Sequence, residues 1–127
     1  MSVRTVMSVR TGIVVFGHGS SVASANDAVR TVAAEAARAG RWELYETAFL
    51  ECAPRLEDAV VALVRAGAHE ILVLPYFLTL GIHLQRDLPK LVERLATDHA
   101  VTIRVAPPLD GHQALSHILV DRAGTLQ

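Results

Sequence analysis

Several things are scarce in this 127-residue sequence, and each scarcity excludes something. It has one cysteine, Cys52, so no internal disulfide can form; a reducing compartment, the cytoplasm, is the expectation. It has no excess of charge: 12 Lys and Arg stand against 13 Asp and Glu. Without a basic run or an aromatic-interleaved patch, nucleic acid is excluded as a partner. No apolar run is long enough to span a bilayer, so no membrane role is expected. The N-terminus lacks the charged-then-apolar pattern of a signal peptide. GxxxxGKS, GxGxxG, HExxH and zinc-finger spacings are all missing, which argues against a nucleotide site or a familiar zinc site.

What is present is the balance of one globular domain, 51% hydrophobic and 20% charged. The segment MSVRT occurs at Met1–Thr5 and again at Met7–Thr11. Two copies do not make a structural repeat, and residues 1–11 read as a poorly ordered tail ahead of a single domain over 12–127.

From there the pattern alternates. Ile13–Phe16 is a short apolar, β-branched run and reads as a buried strand. Ser24-x-x-Asp27 has the form of a capping box and predicts the start of an alanine-rich helix that stops near Gly40, a C-terminal cap. Trp42–Phe49 reads as a second strand. Pro54, Glu57 and Asp58 suit the opening of a second helix that ends near Gly67. Ile71–Leu74 is a third strand, Asp87 and Pro89 open a third helix ending near Asp98, Val101–Val105 is a fourth strand, and a last helix covers Gln113–Ala123. Continuous apolar strands alternating with helices predict an α/β fold: a small doubly wound parallel four-stranded sheet, covered by helices on both faces.

In such sheets ligands bind beyond the carboxyl ends of the strands. The first strand ends in Gly17-His18-Gly19-Ser20-Ser21, the second in Glu51, the third in PYFLTLGIHLQRDLP with Gly81 and His83, and the fourth in PPLDGH with His112. The topology therefore gathers His18, Glu51 and His83 on one rim. Each alone also reads as an ordinary polar loop residue. Glu46 is a rival to Glu51 but lies inside its strand. His69, His99 and His117 lie away from the rim and read as surface or structural, and Cys52 reads as packing. Two imidazoles and a carboxylate can hold a transition metal such as cobalt, nickel or iron, and the same groups can accept protons near neutral pH. Histidine phosphatases place arginine directly before their histidine; here Phe16 and Gly17 precede His18, so the phosphate-gripping arginine is missing.

GHGS with Asn26 downstream, AFLE, PYFLTLGIHLQRDLP and APPLDGHQAL resemble the CbiX-type class II chelatases, over nearly the whole chain from Gly12 to about Ala123. The resemblance implies a chelatase-like fold, with insertion of cobalt or iron into sirohydrochlorin on the cobalamin or sirohaem route. Cobalt is favoured over iron, and the metal is a substrate, with no organic cofactor. His18, His83 and Glu51 are then the catalytic and metal-site residues. Gly19, Ser20, Ser21, Asn26, Phe77, Leu80, Gly81 and His112 are expected around the tetrapyrrole. Phe77, Leu78, Leu80 and Ile82 suit an apolar slot for the ring, and Ser20, Ser21, Ser24, Arg86 and Lys90 suit its carboxylates; core packing and a solvated helix face are the plainer alternatives. The chain departs from the usual family pattern at Ser21, Asp110 and Gln113, and its CAPRL segment is one residue shorter. A single domain implies a homodimer, since long members carry two such domains. A non-catalytic tetrapyrrole- or metal-binding relative of the same fold is the alternative.

Overall fold

The computed structural model describes residues 9–127. Its element order is β1 (Thr11–Gly17), α1 (Ala23–Gly40), β2 (Leu44–Phe49), α2 (Leu56–Arg65), β3 (Glu70–Pro75), α3 (Ile82–His99), β4 (Thr102–Val105) and α4 (Ala114–Gly124). The strands form one sheet in the order β2-β1-β3-β4, every pair parallel. This is the doubly wound arrangement, with its topological switch between β1 and β3, where chain connections leave in opposite directions and open a crevice.

β1 is central and carries TGIVVFG, in which residues 12–17 are all buried. The in-register pairs Val14↔Val73 and Phe16↔Pro75 put Val14, Phe16, Ile71 and Val73 on the face that α2 and α3 cover with Val60, Leu63, Leu88 and Leu95. Each such side chain contributes about 1.5–3 kcal/mol by leaving water. Ile13 and Val15 face the other way, where α1 brings the buried Ala33 and Ala37. The small alanines let the helix sit close to the sheet.

The element boundaries correct several expectations. Most of the tail read over residues 1–11 lies outside the described residues. Of its last positions, Arg10 accepts hydrogen bonds at its carbonyl from the His69 and Glu70 amides, and Thr11 already belongs to β1. Ser24 and Asp27 form no capping box: α1 begins at Ala23 with Val22 as N-cap, and Asp27 pairs with Arg30 at 2.9 Å. Gly40 is the last helical residue, and the left-handed turn falls on Arg41 (φ 57°). A β-carbon at Gly40 would lie 2.5 Å from Trp42 Nε1, so the glycine is there for the indole's approach. Asp87 and Pro89 do not open α3. The helix begins at Ile82 and carries Pro89 inside it. Pro89 and Gln85 are both exposed, so the Gln85 carbonyl that Pro89 cannot serve faces water. Nor are both faces of the sheet covered throughout, since β4 keeps three of its four residues exposed.

Candidate active site

The rim at the strand ends is an extension of the sheet. The β1–β2 pairing runs to Gly17↔Phe49, and two further backbone bonds continue it: Leu50 N–H to the Gly17 carbonyl and Glu51 N–H to the His18 carbonyl, each 2.9 Å. This places Glu51 beside His18, with His18 Nε2 and Glu51 Oε2 3.3 Å apart. Glu46 pairs with Val14 in the sheet interior and takes no part. Both members of the His18–Glu51 pair are exposed, so the attraction itself stabilises little.

His18 sits in an unusual position for an imidazole. Its Nδ1 lies 3.1 Å from the Gly19 carbonyl, an acceptor, and its Nε2 faces the Glu51 carboxylate, also an acceptor. A neutral ring carries one proton, so one nitrogen always presents a lone pair to an oxygen. A second proton or a cation between Nε2 and Glu51 resolves the conflict. The edge of the ring meets Phe77, with centroids 6.3 Å apart and planes at 72°.

The loop that carries His18 is tightly specified. Gly19 adopts φ +89°, and a β-carbon there would lie 2.9 Å from both Cys52 Sγ and Phe49 Cβ. Asn26, in the first turns of α1, clasps the loop: its Oδ1 accepts from Ser20 N–H at 2.9 Å, and its Nδ2 donates to the Ser20 carbonyl at 2.8 Å and to Cys52 Sγ at 3.6 Å. Ser20 Oγ accepts the Val22 amide. Asn26 and Cys52 are thus loop fasteners, and the amide of Asn26 is committed on both sides.

The third strand's loop ends at Gly81, the N-cap of α3, and His83 stands in the first helical turn. Arg86 Nη2 lies 3.2 Å from His83 Nδ1. A guanidinium only donates, so Nδ1 is the acceptor and a neutral His83 keeps its proton on Nε2. Arg86 Nε also bonds Asp87 at 3.0 Å. That bond, foremost, with the positive charges of Arg86, Lys90 and His83, holds the Asp87 carboxyl below its ordinary value of 3.8.

A cavity of about 590 Å³ joins these parts. Its lining includes His18, Phe77, Thr79, Gly81, Ile82, His83 and Asp87 over a floor of Phe16, Leu88 and Leu91. The structure thus brings His18 and Glu51 into contact and puts His83 in the same cavity as His18. Among the described residues no three His, Cys, Asp or Glu side chains gather closely enough to hold a metal ion, so the three-ligand set is not assembled here. Phe77 and Gly81 line the cavity as expected, whereas Leu80 lines a separate groove between α3 and β4. Gly19, Ser20 and Ser21 form the loop over α1. His112 is exposed, and its Nδ1 accepts the Ala114 amide at 3.0 Å, so it caps α4. Sequence reasoning missed the Arg86–His83 contact. The i, i+3 spacing would have disclosed it had α3 been started at Ile82.

Among known proteins, the CbiX family model matches residues 12–126. A sirohydrochlorin cobaltochelatase from Methanopyrus kandleri is 35% identical over 81 residues, 63% of this chain and 57% of that protein. Others bear the name sirohydrochlorin cobaltochelatase, and one from Arabidopsis thaliana is a chloroplastic sirohydrochlorin ferrochelatase. The solved structure of a cobalamin (vitamin B12) biosynthesis CbiX protein from Marinobacter aquaeolei superposes with a TM-score of 0.79 at 30% identity, covering 91% of this chain and 95% of that one. The sirohydrochlorin chelatase SirB from Bacillus subtilis, solved with cobalt, gives 0.67 at 29% identity over 79% of this chain and 44% of its own. With the fold and the family match in agreement, this chain belongs to the CbiX family.

Proposed function

We infer that residues 12–127 work as a single domain that inserts a divalent metal, cobalt or iron, into sirohydrochlorin in the cytoplasm, with two copies as the functional unit. The observation that carries this is His18: an imidazole with an oxygen acceptor at each nitrogen, at the mouth of an apolar cavity. Insertion exchanges two pyrrole N–H protons for one M²⁺ and releases two H⁺. The space between His18 Nε2 and Glu51 suits both traffics, because the same lone pairs hold a cation loosely or accept a proton. His83 takes part from α3 once Arg86 releases its Nδ1 lone pair. Phe77 and the exposed Leu78 and Ile82 offer apolar surface to the macrocycle. The lone cysteine fits a reducing cytoplasm, and among the described residues no helix is long and apolar enough to cross a membrane. The match with the Bacillus chelatase uses under half of that protein, which leaves room there for a second domain of this size; pairing two copies supplies the equivalent.

The separation of His83 from the His18–Glu51 pair favours a second reading, a relative that binds the tetrapyrrole or the metal without catalysis. One experiment decides between them: anaerobic incubation with sirohydrochlorin and Co²⁺, Fe²⁺ or Ni²⁺, followed by absorbance. Turnover, fastest with cobalt, is the expected result. Tetrapyrrole binding with no rate above the uncatalysed reaction for any metal establishes the second reading.

A further inference from the structure

His83 cannot ligate a metal as it stands. Its Nδ1 accepts a hydrogen bond from Arg86 Nη2 at 3.2 Å. The neutral ring then carries its proton on Nε2, so neither nitrogen has a lone pair to give. Elsewhere in the cavity His18 and Glu51 stand together, 3.3 Å apart. Among the described residues no third His, Cys, Asp or Glu completes a metal-binding group with them. The free protein therefore offers a cation a pair of donors and a histidine that is occupied.

The bond to His83 is one that Arg86 can give up. His83, Arg86 and Asp87 are all exposed, so breaking it uncovers no buried group. Asp87 Oδ1 accepts from Arg86 Nε at 3.0 Å, which keeps the guanidinium beside the cavity that His83 and Asp87 line. With Nε held, both Nη groups remain to choose between acceptors. An imidazole nitrogen is a neutral acceptor of a single bond. A carboxylate is charged and takes two parallel N–H groups of the guanidinium fork, each bond roughly twice as strong as a neutral one. A carboxylate at the mouth of this cavity therefore outcompetes His83 for Arg86. His83 and Arg86 are also one helical turn apart on the same face of α3. Whatever takes Arg86 thus stands beside the lone pair that it uncovers.

We propose that Arg86 is a substrate-operated latch on His83. In the free protein it occupies Nδ1; a rim carboxylate of the bound tetrapyrrole takes the guanidinium and frees that lone pair for the metal. No covalent bond changes and no proton moves: one hydrogen bond is exchanged for an ion pair. Arg86 is a positioning residue, acting through His83. It also confers specificity, because a ring without acidic side chains has nothing with which to release the latch. The proposal rests on the chelatase reading and adds what couples its two substrates, the third donor appearing where the ring already sits.

Calorimetric titration of Co²⁺ into the full chain, without tetrapyrrole, tests the latch apart from turnover. Arg86→Met should bind Co²⁺ about threefold to tenfold more tightly than wild type, the scale of one hydrogen bond made in competition with water. Removing a positive charge also favours a cation, so the substitution is repeated in a His83→Ala background, where the gain should vanish. Metal-free sirohydrochlorin, followed anaerobically by absorbance, should bind Arg86→Met about tenfold more weakly, the scale of a lost charge-assisted bond. In wild type it should also move the nitrogen-15 signal of His83 Nδ1 to the position found in Arg86→Met. Equal Co²⁺ affinity in wild type and Arg86→Met overturns the proposal. So does a gain that persists without His83, which is the field of the guanidinium alone, or a His83 signal that sirohydrochlorin leaves in place. Any of these beside normal metal insertion leaves the chelatase reading standing. The expected binding results in a chain that inserts no metal support the latch and overturn that reading alone.

Discussion

Gly19→Ala isolates what the histidine loop demands of its backbone. Two costs add. The residue holds φ +89°, a region that costs an L-residue roughly 1–2 kcal/mol. The new methyl would also stand 2.9 Å from Cys52 Sγ and Phe49 Cβ, contacts that β-carbons essentially never show. Phe49 is fully buried in the sheet and cannot retreat, so relief by shifting the loop costs about 1–3 kcal/mol more. The expected loss is therefore about 2–5 kcal/mol, read by urea unfolding. Gly111→Ala is the control: φ is +84° with nothing within 4 Å, so it pays the backbone cost alone. Any loop shift in the Gly19 variant also moves the carbonyl that holds His18 Nδ1, and a displacement of about 1 Å can cost about a hundredfold in rate. If Gly19→Ala loses no more stability than Gly111→Ala and inserts metal at the normal rate, the close packing of this loop is refuted.

Other outcomes follow from the same geometry. His18→Ala and His83→Ala should each slow metal insertion about a hundredfold or more, the scale of a positioned acid–base group, while melting near the wild-type temperature. Glu51→Gln should reduce turnover and Glu46→Gln much less; the reverse order in parallel assays contradicts the register that puts Glu51 beside His18. Asn26→Asp keeps the acceptor for Ser20 N–H but faces the Ser20 carbonyl with an oxygen, so it should lose about 1–3 kcal/mol in denaturant titration. Asp87 is depressed in the folded state, so its stabilising effect is present above its ordinary value near 3.8 and fades as pH falls through its lower folded value. Melting curves of wild type and Asp87→Asn should accordingly differ at neutral pH and converge in strong acid.

The sheet was legible because its signal is crude. Val14–Phe16 and Ile71–Leu74 are apolar on both faces, and turn residues follow each strand. Glu51 was separable from Glu46 by position at the strand's end alone. What escaped the sequence depends on contacts rather than pattern. Gly40 reads as a C-cap, but its lack of a side chain serves Trp42, and Arg41 bears the left-handed turn. Asp87 and Pro89 read as a helix start because proline favours a first turn, yet on an exposed face an interior proline leaves its orphaned carbonyl to water. That one misplaced boundary put His83 in a loop and hid Arg86 as its neighbour. No sequence pattern announces that the Asn26 amide bonds the Ser20 backbone and Cys52, or that His112 Nδ1 accepts the Ala114 amide.

The continuation of the β1–β2 ladder past Gly17 divides the site mechanically. The backbones of His18 and Glu51 are tied to each other where the central strand β1 and the edge strand β2 end, and that spacing changes only if those bonds open. His83 rides on the first turn of a helix whose cap supplies no side-chain bond, behind an exposed Leu78 and Ile82. One jaw is fixed and the other is carried on a helix end. The distance across the cavity is therefore set by where α3 begins, and a shift of that helix end alone would change the gap between His83 and the His18–Glu51 pair.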